Sequence, residues 1–246
     1  MKHEEMSVRD ASVTGSRHRV NGAPNQDAAY FAGREGRFVA VVCDGCGSAP
    51  ASGVGAYLGA RLVAECALAA EGDPLEAGFW TALTEAASAR LMAIAEQTTR
   101  APAALLEEAA LFTIVGVLFS GAHAIFFALG DGVIGCNDCA FVIGPFADNA
   151  PPYLAYRLLD GRDLTIAPVL VRDAAAVERF FVATDGAAEL LAEGASPAWP
   201  AVLAADEARF FDHPDALRRK LAQLTRPPSV LADDTTIILG KRGGGA

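Results

Sequence analysis

Five short acidic segments are spread along the chain: Asn25-Gln26-Asp27, Asp44-Gly45, Gly130-Asp131-Gly132, Thr184-Asp185-Gly186 and Asp233-Asp234-Thr235-Thr236. Three share one grammar, an apolar run, then Asp, then Gly: FVAVVCDG, IFFALGDG and RFFVATDG. An Asp at a strand end leaves its carboxylate exposed, and the Gly lets the backbone turn and its carbonyl approach a ligand. One Asp-Gly is an ordinary turn dipeptide. Several, at the ends of different strands, suggest a carboxylate cluster, and such a cluster repels itself unless cations lie between its members. Mg2+ or Mn2+ accepts these oxygen ligands and keeps bound water. Two ions sharing a carboxylate acidify a bridging water and aim it at phosphorus.

Other reactive side chains offer weaker patterns. Cys43–Cys46 and Cys136–Cys139 form two CxxC pairs, the spacing of thiolate zinc ligands. The pairs of a zinc ribbon lie ~15–20 residues apart, and here the gap is far longer, so the cysteines read as packing or loop residues. Five cysteines, an odd count, and a polar start, MKHEEMSVRD, suggest reduced thiols in a cytoplasm. Arg17, His18 and Arg19 precede the first acidic segment. A guanidinium there can fork onto a phosphate, and a solvated basic turn is the alternative.

The elements that must position these acids follow from the hydrophobic pattern. The chain has 246 residues, 52% of them hydrophobic and only 20% charged, enough for one large core. Its 20 Lys and Arg against 30 Asp and Glu give −10, which argues against a nucleic-acid or anionic membrane surface as the main partner. Phe38–Cys43 reads as a strand covered on both faces. A helix is expected over 52–70, and a second from Pro74 with Trp80, Leu83, Ala87 and Leu91 as its core stripe. Strands are expected at 111–119, 123–129, about 133–143, 163–171, 178–183 and 235–239, with a Pro-rich loop over 145–159 and loops and helices over 187–230. The apolar stretch 111–130 is membrane-length but is broken by Ser120-Gly121, so it reads as a buried hairpin. This order of elements is α+β with antiparallel sheets, which two sheets packed face to face would satisfy.

The ordered set NQDA…VVCDGCGS…GDG…VATDG…ADDTT resembles the type 2C metal-dependent serine/threonine protein phosphatases, particularly their compact bacterial branch, over about residues 12–240. The resemblance implies an αββα four-layer sandwich, two antiparallel sheets flanked by helix pairs, as a single domain over 1–246; the sequence itself reads as loosely ordered over 1–8 and 241–246. It implies a pair of Mg2+ or Mn2+ ions at one edge and, in bacterial members, a third, weaker one. Asp44 then bridges both ions, Gly45 lends its carbonyl, and Asp185 and Asp233 complete the ligands with Asp234 in support. Asp27 holds metal-bound water, and Asp131 matches the acid that helps bind the third ion. In the family a basic residue just upstream binds substrate phosphate, a role open to Arg17 or Arg19. His18 is a proton donor or a polar loop residue. Asn149 and Tyr153 lie where the family carries a substrate-facing flap.

The chain also departs from the pattern. Gln26 replaces a frequent Glu and can hold water without adding charge. Cys46 stands where many members have His or Met, and a His there has been given the role of general acid. Gly132 replaces the Ser of GDS. The implied activity is hydrolysis of phosphoserine and phosphothreonine in a phosphorylated protein substrate, with a serine/threonine kinase in the same pathway, by a cytoplasmic monomer. The departures motivate an alternative, a catalytically weak module that binds a phosphoprotein.

Overall fold

The apolar runs over 38–43, 114–119 and 124–129 find two covered faces. In the computed structural model the described residues are 6–191 and 198–243. One sheet has the order β1-β10-β9-β6-β7, formed by Met6–Val13, Thr235–Arg242, Arg179–Ala183, Gly132–Cys136 and Cys139–Ile143. The other runs β2-β3-β4-β5-β8, formed by Asp27–Arg34, Arg37–Asp44, Ile114–Ser120, His123–Leu129 and Ala167–Asp173. All the ladders are antiparallel. The helices are α1 (Ser16–Asn21), α2 (Ser52–Ala69), α3 (Ala77–Thr98), α4 (Pro102–Ala109), α5 (Tyr156–Leu159), α6 (Ala201–Ala205), α7 (Glu207–Asp212) and α8 (Ala216–Leu224).

Side-chain alternation sorts the core into three layers. Val42, Val115, Val117 and Phe126 of one sheet meet Ile134, Phe180, Val182 and Ile238 of the other. Val39, Val41 and Cys43 point the opposite way, onto Leu62, Trp80, Leu83 and Leu91 of α2 and α3. On the far side Val13, Phe181, Ala183 and Leu239 pack against Phe210, Leu217 and Leu221. Helices therefore cover both outer faces, as the α+β sandwich requires. Each fully buried Phe or Leu contributes ~1.5–3 kcal/mol. α2 lies close to the neighbouring chain because it carries glycines on that side: a Cβ on Gly55 would sit 1.5 Å from the Ala109 carbonyl oxygen, and one on Gly59 2.3 Å from the Phe112 ring.

Several sequence expectations need correction. Met6–Val8 belong to β1 and Lys241 and Arg242 to β10, so neither the lead-in nor the tail is loose there; residues 1–5 and 244–246 lie outside the described residues. The strands β1 and β2 and the helix α4 gave no clear apolar signal, since β1 and β2 bury little of their length. The expected strand over 133–143 is a hairpin: Asn137 takes φ 53° and splits it into β6 and β7. The strand expected at 163 starts at Ala167. The 111–130 stretch does form a hairpin, with Ser120 paired to His123. Among the described residues, no helix is long and apolar enough to cross a membrane.

Candidate active site

The strand ends of both sheets meet at one edge. Asp27 opens β2 and Asp44 closes β3, and the register sets them directly opposite one another. Two like charges so placed destabilise a strand pair. The chain beyond Asp44 is held on both sides. The Asp44 N–H donates to Thr113 Oγ1 at 3.2 Å, the Gly45 N–H to the Gln26 carbonyl at 3.1 Å, and the Cys46 N–H to the Leu111 carbonyl at 2.8 Å. The Thr113 N–H returns a bond to the Asp44 carbonyl at 2.8 Å. Gly45 has no room for a side chain: a Cβ would lie 2.8 Å from backbone atoms of Gln26 and Ser52.

The other sheet supplies the remaining acids. Asp131 sits in the tight turn from β5 to β6, where Gly130 takes φ 103°. Asp185 opens a 3-10 turn after β9, and Asp233 and Asp234 lead into β10. A side chain the sequence did not single out joins the two sheets. Thr184 Oγ1 donates to Asp27 Oδ2 at 2.7 Å and accepts the Thr236 N–H at 2.9 Å. Asp234 is a second clamp. Buried, it accepts the Gly15 N–H at 2.9 Å on one oxygen and the Gln26 N–H at 2.8 Å on the other. The polar Thr before Asp-Gly in VATDG was the available signal for Thr184; nothing in the sequence marked Asp234 as the more buried of the two acids.

These acids are less exposed than strand ends suggest, and their titration reflects it. Burial first, then repulsion from Asp234 and Asp185, pushes Asp27 up to about 7 despite the bonds from Thr184 and Asp44. Burial, then repulsion from Asp27, Asp185 and Asp131, raises Asp44 well above the carboxylate range. Burial with repulsion from Asp131 and Asp233 lifts Asp185 to about 6, and burial raises Asp131. Asp27 Oδ1 is buried with no hydrogen-bond partner. Among the described residues, no three His, Cys, Asp or Glu side chains form a ready-made ion cage. Without positive charge between them, the acids hold protons instead. The donor chemistry nevertheless fits a hard divalent ion: several carboxylates, a glycine carbonyl and one unpartnered buried oxygen.

The basic residues divide. Arg17 reaches the rim, its guanidinium 3.4 Å from Asp233 Oδ2. Arg19 turns back to the Thr14 carbonyl at 3.1 Å. His18 lies between two acids, Nδ1 2.9 Å from Asp234 Oδ2 and Nε2 3.7 Å from Asp233 Oδ1. Gln26 does not face solvent as a water-holding residue would. It is buried, and its amide donates to Ser52 Oγ at 2.7 Å and the Ala49 carbonyl at 3.3 Å, tying down the loop after Gly45. Gly132 has a steric reason to replace Ser: a Cβ there would lie 2.7 Å from the Ala183 carbonyl oxygen. Asn149 is exposed, whereas Tyr153 is buried. The zinc alternative fails. Cys43 is buried under α2 and Cys136 lies between the sheets, so the two CxxC pairs do not converge.

A family model described as Protein phosphatase 2C matches residues 14–225. The chain belongs to the protein phosphatase 2C family. That makes it a protein serine/threonine phosphatase by family, on the fold its motifs implied. No curated protein matches the chain in sequence. Solved structures do match in fold. The catalytic domain of the serine/threonine phosphatase PstP, determined with two manganese ions, has TM-score 0.58 at 18% identity, covering 97% of this chain and 99% of that one. Stp1 from Staphylococcus aureus gives 0.57 at 14%, covering 97% and 96%. PppA from Pseudomonas aeruginosa gives 0.57 at 14%, covering 96% and 97%. At these identities the likeness establishes the fold, and this chain's own acids must carry the chemistry.

Proposed function

We propose that this protein hydrolyses phosphoserine and phosphothreonine in proteins at a pair of Mg2+ or Mn2+ ions, with a third, weaker ion beside Asp131. The observation that supports this best is the meeting of Asp27 and Asp44 from one sheet with Asp131, Asp185 and Asp233 from the other, where burial raises the pKa values of Asp27, Asp44, Asp131 and Asp185. Bound ions would neutralise phosphate charge and make solvent a competent nucleophile at neutral pH. Asp44, Gly45, Asp185 and Asp233 would hold the pair. Asp27, steadied by Thr184, keeps one oxygen free to orient a water and take its proton. Arg17 is placed to leave Asp233 and fork onto the phosphate. His18, between Asp233 and Asp234, fixes the segment that carries the last ligand.

The substrate is a phosphorylated protein, with a serine/threonine kinase acting in the same pathway, and the chain works as one catalytic unit, a cytoplasmic monomer. The departures at Gln26 and Gly132 have structural causes and remove no ligand, so a mere binding module is not favoured. The experiment is hydrolysis of a phosphopeptide with added Mn2+. Asp44→Asn should lower turnover on the order of 100-fold or more, as losing one preorganised charge-stabilising group does elsewhere, with the circular dichroism spectrum unchanged. Folded wild-type protein inactive with Mn2+ and with Mg2+ would defeat the proposal.

A further inference from the structure

The two CxxC motifs share one spacing, and the fold gives them opposite geometries. From Cys43 to Cys46 the chain is extended. The register of β3 on β4 pairs Val42 with Val115, a bridge joins Gly45 to Phe112, and the Cys46 N–H meets the Leu111 carbonyl at 2.8 Å. Three residues of extended chain span about 10 Å, beyond the roughly 7 Å over which a disulfide can join two Cα atoms. Cys136 and Cys139 instead flank the turn between β6 and β7 and are direct partners in its antiparallel register. Opposed Cα atoms lie about 4.5–5.5 Å apart with both side chains on one face, inside the range a disulfide needs. The packing agrees: Ile134 and Cys136 of β6 and Phe141 and Ile143 of β7 all face the layer between the sheets, whereas Ala140 faces the other way.

The turn between the two cysteines is held from outside. The Asn137 N–H donates to the Arg179 carbonyl at 2.9 Å, and its amide donates to the Ala176 carbonyl at 2.8 Å. The Arg179 guanidinium donates to the Asn137 carbonyl at 3.0 Å and to Asp138 Oδ1 at 2.8 Å, and the Trp199 N–H donates to the Asp138 carbonyl at 2.8 Å. Both cysteines are free thiols; Cys139, on the edge strand, is exposed, and Cys136 is buried.

We infer that Cys136 and Cys139 form a reversible, peroxide-sensitive disulfide, with Cys139 as the attacking thiol and Cys136 as the thiol that resolves it. The Cys139 sulfur takes one oxygen from hydrogen peroxide and becomes a sulfenic acid, and the other oxygen leaves as water. The Cys136 sulfur then attacks the Cys139 sulfur and expels its oxygen as a second water. Two thiols thereby give up two electrons and two protons, and one peroxide becomes two waters. A bond with an exposed sulfur at a sheet edge is open to exchange with small thiols, which reverses the reaction.

The test treats the full chain, folded and in urea, with hydrogen peroxide, caps the remaining thiols under denaturing conditions and reads the peptides by mass. In the folded chain the segment holding Cys136 and Cys139 should lose two hydrogen atoms and regain them with dithiothreitol, while Cys43 and Cys46 stay unlinked. In urea that difference between the pairs should vanish. Cys139→Ser should leave Cys136 a free thiol, and Cys136→Ala should stop Cys139 at a sulfenic acid that dimedone traps. Free Cys136 and Cys139 after peroxide treatment of the folded chain, Cys139 oxidised past the sulfenic acid beside a free Cys136, or Cys43–Cys46 linking as readily in the folded chain would overturn it.

Discussion

Replacing Asp27 by Asn should flatten the pH dependence of stability in the metal-free protein. In the folded chain burial holds the Asp27 carboxyl near 7, against 3.8 ordinarily. That is about three pH units, each about 1.4 kcal/mol, so on the order of 4 kcal/mol. The sign follows from proton counting. Below about pH 4 the group is protonated folded or unfolded, and stability is undiminished. As pH rises the unfolded chain gives up its proton first, so the folded state is penalised until about pH 7, where the loss levels off. Asn fits the site: its amide oxygen can accept the Thr184 hydroxyl, 2.7 Å from Asp27 Oδ2 in the wild type, and its N–H groups can donate to Asp44. Thermal unfolding in EDTA from pH 4 to 8 should therefore show the wild type falling relative to Asp27→Asn by roughly 8–16 °C, at 2–4 °C per kcal/mol for a chain of this size. Excess Mn2+ at pH 8 should return most of the loss to the wild type. Parallel curves for the two proteins, or a metal-free wild type that gains stability relative to the variant as pH rises, would refute the reasoning.

The two neighbouring acids before β10 should behave oppositely. Asp234→Ala strands the buried Gly15 and Gln26 N–H groups and should cost on the order of 3 kcal/mol in urea unfolding, whereas Asp233→Ala, at the exposed rim, should spare the fold and weaken Mn2+ binding by calorimetry. Restoring the family's serine with Gly132→Ser should destabilise by roughly 1–3 kcal/mol in the same assay, because the new Cβ meets the Ala183 carbonyl; an unchanged midpoint would mean that β6 yields freely.

That the acid segments sit at strand ends was legible in the sequence, because Asp-Gly after an apolar run marks where a strand stops. The helix pair and the β4–β5 hairpin were legible because their faces are apolar at the right period. β1, β2 and the split between β6 and β7 were not. Strands with little burial show no apolar alternation, and one left-handed residue, Asn137, breaks a run that reads as continuous. Which acids meet was settled only by folding, since Asp27 and Asp44 become opposed through strand register and Asp27 and Thr184 touch across two sheets. The same holds for Gln26, whose type suggests solvent and whose burial turns it to the loop after Asp44, and for Tyr153, which lies in a Pro-rich loop yet is buried. Residue type is a local property, whereas burial, and with it the raised pKa of each acid, depends on what the rest of the chain lays over it.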